Sequence, residues 1–139
     1  MPTEPVVFVV DDDPSLRTAV ARLIQSVGLR ARTFESAEAF LANVDPSMPG
    51  CLVLDVRMPG QGGLELYERL VATGRDIPVI FITGHADVPM AVRAMKAGAV
   101  DFLSKPFEDS ELLGAASQAL ERDRRRWEAR QRAPGAGGA

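Results

Sequence analysis

Carboxylates stand directly after apolar runs at two places in this sequence. Asp11-Asp12-Asp13 follows Val6-Val7-Phe8-Val9-Val10, and Asp55 follows Cys51-Leu52-Val53-Leu54. A hydroxyl, Thr83, closes a third run, Ile77–Ile82, and Lys105-Pro106 comes after a fourth, Val100–Leu103. Singly, each has an ordinary reading: an Asp after a strand is often a turn or cap residue, and Asp13 before Pro14 reads mostly as a helix cap. Collected at one edge of a sheet, they make a different object. Several carboxylates packed together repel unless a proton or cation intervenes. A hard, oxygen-liganded ion such as Mg²⁺ would relieve that repulsion. The remaining groups match the needs of phosphoryl transfer, which are an oxygen nucleophile, a metal, and cationic and hydroxyl donors for the equatorial oxygens.

The segments between these residues must do the collecting. Val6–Val10 is a continuous β-branched and aromatic run, as expected for a strand buried on both faces. Asp13-Pro14 opens a helix carrying Leu16, Val20, Leu23, Ile24 and Val27, and Gly28 stops it. Leu29–Phe34 alternates like an edge strand, and Ser36 opens a second helix with Phe40, Leu41 and Val44. The pattern repeats with a strand at Cys51–Leu54 and a helix at Leu64–Leu70 stopped by Gly74. Next come a strand at Ile77–Ile82 beginning near an edge-tolerant Pro78, and a helix capped by Asp87 with Val88, Ala91, Val92 and Met95, ended by Gly98. A short strand at Val100–Leu103 and a final helix that begins with Glu108–Leu120 complete it, the latter with three acids in its first turn. Five strands alternating with five helices predict an α/β fold, a five-stranded parallel doubly wound sheet. Ligands of such sheets sit at the carboxyl ends of the strands, where Asp11, Asp55, Thr83 and Lys105 stand.

Over residues 6 to about 120 the sequence resembles the response-regulator receiver family. The matching segments are Val9-Val10-Asp11-Asp12-Asp13, Leu54-Asp55-Val56-Arg57-Met58-Pro59-Gly60, Ile82-Thr83-Gly84 and Lys105-Pro106-Phe107. The resemblance implies a flavodoxin-like fold with Asp55 as phosphoacceptor. It implies a Mg²⁺ site made by Asp11, Asp12, Asp55 and the backbone carbonyl of Arg57, with Asp12 the more direct ligand of the acidic pair. It further implies Thr83 and Lys105 as contacts to the phosphoryl oxygens, a cis bond before Pro106, and Phe102 as the aromatic that switches. The family usually shows Asp-Asp-Glu after its first strand, and Asp13 is a mild departure. The implied donor is a sensor histidine kinase, and the domain is a phosphoacceptor that assists its own modification and hydrolysis rather than an enzyme. The stretch Ile82–Val92 is similar to the FixJ-like branch, whose members usually carry a C-terminal helix-turn-helix. Transcriptional control, and pairing of two chains through the fourth helix and fifth strand near Val92, Met95 and Phe102, are expected by that likeness. His85, the sole histidine, lacks His or Cys partners for a metal and reads as a loop residue near the site.

Composition sets the remaining bounds. The 139 residues suit one domain, and 46% hydrophobic with 25% charged residues is a folded rather than a disordered composition. No apolar run approaches the roughly 20 residues of a membrane span. A lone cysteine, Cys51, permits no internal disulfide, so a cytoplasmic setting is expected. Residues 1–120 hold 10 Lys/Arg against 16 Asp/Glu, net −6, and residues 121–139 hold six Arg against three acids, net +3. An acidic body argues against direct binding of nucleic acid, which would fall to an output domain absent from this chain. The boundary is expected at 121, with 122–139 an extended helix end and a Pro/Gly linker at Pro134–Gly138. Leu113, Leu120 and Trp127 at seven-residue spacing, with Ala116, suggest an apolar seam along the last helix. Two other readings exist. Asp11-Asp12-Asp13 also resembles the Asp-x-Asp start of a haloacid-dehalogenase-type phosphatase, with Asp11 as nucleophile and Asp13 as acid, but no late acidic pair or cap domain follows and Asp55 goes unused. A phosphorylation-independent interaction module would have lost Asp55, Thr83 or Lys105, and all three are present.

Overall fold

Side chains along β1 (Val6–Val10) alternate between two cores, because successive residues of a strand point to opposite faces. Val6, Phe8 and Val10 enter one core, and Val7 and Val9 enter the other. The computed structural model describes residues 4–45, 48–57, 62–74, 76–84 and 88–132, with backbone only at 131 and 132. Within them the elements alternate as expected: β1, α1 (Pro14–Ser26), β2 (Arg30–Phe34), α2 (Ala37–Asn43), β3 (Gly50–Asp55), α3 (Gly63–Ala72), β4 (Val79–Thr83), α4 (Val88–Lys96), β5 (Asp101–Ser104) and α5 (Asp109–Arg132). All strand pairs are parallel, in the order β2-β1-β3-β4-β5. The order reverses between β1 and β3, so the crevice of this sheet opens beside the carboxyl ends of those two strands.

Local chemistry sets the element ends. Asp13 Oδ1 accepts from Ser15 N at 2.9 Å and Leu16 N at 3.4 Å, capping α1, and Ser36 Oγ accepts from Ala39 N at 3.0 Å to cap α2. The Asp87 cap, the Met58-Pro59-Gly60 segment, His85 and the Pro134–Gly138 linker lie outside the described residues. Pro78 precedes a central strand rather than an edge one. It is tolerated there because β4 begins at Val79 and Pro78 contributes only its carbonyl, which accepts from Leu52 N at 2.9 Å.

The apolar face of α4 looks outward: Val88, Val92 and Met95 are exposed and only Ala94 is buried. By contrast α3 buries Leu64, Leu66, Tyr67 and Leu70. At about 1.5–3 kcal/mol per large buried side chain, α4 is the helix with least holding it to the sheet. On α5, the row that packs inward is Leu112, Ala115, Ala116 and Ala119, with Leu113 and Leu120 partly buried on its flank. The last helix, α5, continues past residue 121. It runs unbroken to Arg132, and Asp123 is buried, accepting from Gly50 N at 2.8 Å and paired with Arg126 Nη2 at 2.5 Å. Among the described residues no helix is long and apolar enough to cross a membrane.

Candidate functional site at the carboxyl ends of the strands

Asp11 and Asp55 reach the same crevice because β1 and β3 pair in register, Val10 opposite Leu54, and each strand delivers an aspartate one residue further on. Asp11 is fully buried, Asp55 is 5% exposed and Asp12 is exposed. One carboxylate oxygen from each lies within 4.8 Å of the others. Lys105 Nζ comes from the far side, at 3.3 Å from Asp11 Oδ2 and 3.6 Å from Asp55 Oδ2. Three carboxylates facing one ammonium leave the cluster negative, and every donor is a hard oxygen. That set fits Mg²⁺ better than a softer metal.

The backbone holds each acid in place. Asp13 N donates to Asp11 Oδ1 at 2.8 Å, and Arg57 N donates to Asp55 Oδ1 at 3.0 Å, so one oxygen of each carboxylate is fixed. Arg17 reaches back from α1 to the Asp11 carbonyl at 2.7 Å. Burial pushes the Asp55 carboxyl up to about 6. The Arg57 amide pulls it down, Asp11 pushes it up, Lys105 pulls it down and Asp12 pushes it up. The net result lies above the ordinary carboxylate range.

Thr83 ends β4, buried, one residue past Ile82, the ladder partner of Asp55. Its carbonyl accepts from Lys105 N at 2.7 Å, and the Lys105–Pro106 bond that follows is cis. Phe102 is partly buried against the core, its ring 6.3 Å from Phe81. The structure thus gathers Asp11, Asp12, Asp55, Thr83 and Lys105 at one edge. Asp13 is set apart as a cap. Arg57 adjoins the cluster through its amide, and Phe102 lies one strand away on β5.

Two supports escaped the sequence reading. A Cβ at Gly63 would meet the Asp55 carbonyl oxygen at 2.0 Å, so only glycine lets the start of α3 approach the backbone of the acid. The Gly62-Gly63 pair was a signal for such an approach. Arg17 carried none, since a polar residue on an amphipathic helix is ordinarily solvated.

The family model for the response regulator receiver domain matches residues 7–117, and the chain belongs to that family. It is a receiver domain of two-component signal transduction. Nodulation protein W of Bradyrhizobium diazoefficiens is 54% identical over 93% of this chain and 57% of its own length. The transcriptional regulatory protein FixJ of Azorhizobium caulinodans is 49% identical over 88% of this chain and 58% of its own. Among solved structures, the response regulator StyR superimposes with a TM-score of 0.90 at 50% identity, covering 96% of this chain and 67% of that one. The chain thus spans little more than half the length of these curated relatives.

Proposed function

We infer that Asp55 accepts a phosphoryl group from a phosphohistidine of a sensor kinase, and that the modified domain controls an output, transcription in the first instance. The observation that carries this is a buried Asp55 with a lysine ammonium 3.6 Å from one oxygen and two further carboxylates alongside. Asp55 Oδ attacks phosphorus in line, the new O–P bond forms as the P–N bond breaks, and the proton balance closes on the departing imidazole. Asp11, Asp12, Asp55 and the Arg57 carbonyl would hold a Mg²⁺ ion, which supplies charge neutralisation to the transferring group. Lys105 adds a fixed positive charge, and Thr83 a hydroxyl at the neighbouring strand end. The product is an acyl phosphate that water hydrolyses, so the domain is a timed acceptor rather than an enzyme acting on an outside substrate.

The added charge of about −1.5 to −2 draws Thr83 and Lys105 toward Asp55. Phe102, partly exposed beside them, then has a more buried position open to it. The helix with the least burial, α4, responds as a shift between two packings. Its outward Val88, Val92 and Met95 supply the apolar face through which two chains would pair on activation. Asp11 is a poorer nucleophile for the phosphatase reading, because it is fully buried with both oxygens engaged, by Asp13 N and Lys105 Nζ.

Acetyl phosphate with Mg²⁺ is expected to add one phosphoryl group by intact mass, and EDTA to prevent it. No gain of mass under these conditions would refute the reading. Two variants separate chemistry from signalling. Lys105→Ala should leave slow uptake but weaken the response that follows, since the modified state loses its cation. Phe102→Ala should take up phosphoryl at a rate within about twofold of the parent chain while losing activation-dependent pairing by sedimentation. Uptake blocked as fully by Phe102→Ala as by loss of Asp55 would remove the relay role from Phe102.

A further inference from the structure

The last carbonyls of a helix have no partner within it. In the turn just beyond α4, two carbonyls go to different helices. The Ala97 carbonyl accepts from the Tyr67 hydroxyl of α3 at 3.1 Å, and the Gly98 carbonyl accepts from Arg122 Nη1 of α5 at 2.7 Å. Gly98, with φ +109, allows the turn that presents both. The Tyr67 ring meets Phe81 edge-on at 5.5 Å, and Phe81 lies 6.3 Å from Phe102. A continuous run of packed rings therefore leads from Phe102 to the turn at the end of α4, and a guanidinium leads from that turn to α5.

Arg122 stands where α5 begins its last three turns. Beyond it Asp123 holds Gly50 N, and Arg126 and Arg130 reach Asp76 at 3.0 and 3.3 Å. These contacts grip the amino ends of the central strands. Among the described side-chain bonds of α5, only that of Arg122 ends on α4 or its turn, and α4 is the helix with least burial. We propose that Arg122 is a positioning residue that couples movement of α4 to the far half of α5, with the Ala97–Gly98 turn as the junction. The inference rests on the Asp55 reading and adds to it a route by which the modified site reaches the helix leading out of the domain. A guanidinium on a helix carboxyl end is also favourably placed toward the helix dipole, so the bond has reason to persist while α4 moves.

Trp127, the only tryptophan, lies between Arg126 and Arg130 at 5.7 and 5.5 Å and reports on this half of the helix. The test follows its emission, together with amide exchange over residues 121–130, in the 139-residue chain before and after acetyl phosphate with Mg²⁺. Intact mass records uptake in the same samples. In the parent chain, modification should change exchange over 121–130 by about fivefold, the lower end of ordinary coupling. Arg122→Gln should cut that change below about twofold while uptake stays the same, and Arg122→Lys should recover part of it. Should Arg122→Gln fray the helix by itself, Tyr67→Phe breaks the other bond of the same turn without touching α5, and it too must lower the response. A fully phosphorylated parent with a silent α5, or variants that respond in full, would overturn the coupling and leave Asp55 as acceptor. A parent that gains no mass would overturn the acceptor reading and the coupling with it.

Discussion

Asp55→Asn is expected to abolish phosphoryl uptake, by roughly 10³-fold or more, because it removes the carboxylate that Arg57 N holds by one oxygen while Lys105 stands 3.6 Å from the other, and Asp11, with both oxygens hydrogen-bonded, is a poor substitute. The amide retains the shape and still accepts from Arg57 N, so the loss would be chemical rather than structural. The variant should also report on charge. Burial first, then Asp11 and Asp12, raise the folded carboxyl to about 6 against an ordinary value of 3.8. For a raised acid the sign is fixed. Its contribution to stability is fully present below the unfolded value and is lost as pH rises through the folded one. In EDTA near pH 7.5, Asp55→Asn is therefore expected to melt about 2–6 °C above the parent chain, and the advantage should vanish near pH 3.5. Uptake by the parent, which requires the carboxylate, should climb as pH passes about 6, with Mg²⁺ moving that limb to lower pH. Intact mass for uptake and melting across the pH range check both halves. An Asn variant that still gains one group, mapped to Asp11 or Asp13, would overturn the assignment of the acceptor.

How far the sequence could be read depended on how local the signal was. The strands were legible because a two-sided buried strand requires an unbroken apolar run, and Val6–Val10, Cys51–Leu54 and Ile77–Ile82 are such runs. The acids were legible because a carboxylate just after such a run has only the sheet edge to occupy. The face of α4 was legible only through the family likeness, which put Val92 and Met95 at an expected pairing surface. Val88, Val92 and Met95 have the spacing of a buried stripe, and periodicity alone cannot tell a face turned to the core from one kept for a partner. Which row of α5 faces the sheet was open for a related reason: spacing of seven marks a line along a helix, while packing chose the line of small residues, Ala115, Ala116 and Ala119, that lets α5 lie close to the sheet. The shift on Asp55 was hidden because it depends on burial and on neighbours 44 residues away in sequence, at Asp11, and 50 away, at Lys105.

Asp123 was the residue least visible beforehand, an acid within an arginine-rich helix end, and its removal is expected to have the largest effect on stability. Gly50 opens β3 with φ +149, and a Cβ there would meet the Val6 carbonyl oxygen at 2.0 Å, so the strand must start on a bare backbone amide. Asp123 Oδ2, 73 residues away, accepts a hydrogen bond from that amide, while Arg126, only 8% exposed in its side chain, pairs with the carboxylate and with Asp76. Burial raises the Asp123 carboxyl while Arg126 and the Gly50 amide lower it. A buried pair of this kind adds little net stability over an apolar contact, but removing one member strands the other. Asp123→Ala would leave a buried N–H without an acceptor and a buried guanidinium with a single exposed partner. The expected cost is about 3 kcal/mol, or roughly 10 °C in melting temperature. Asp123→Asn keeps an acceptor for Gly50 and should cost about half as much. Asp55 sits at the other end of the same strand, some 17 Å away at about 3.3 Å per residue, so phosphoryl uptake by the folded variants should match the parent. Denaturant melts with uptake measured in parallel decide it. A loss below about 1 kcal/mol for Asp123→Ala would mean that the helix beyond residue 121 is an appendage rather than part of the fold.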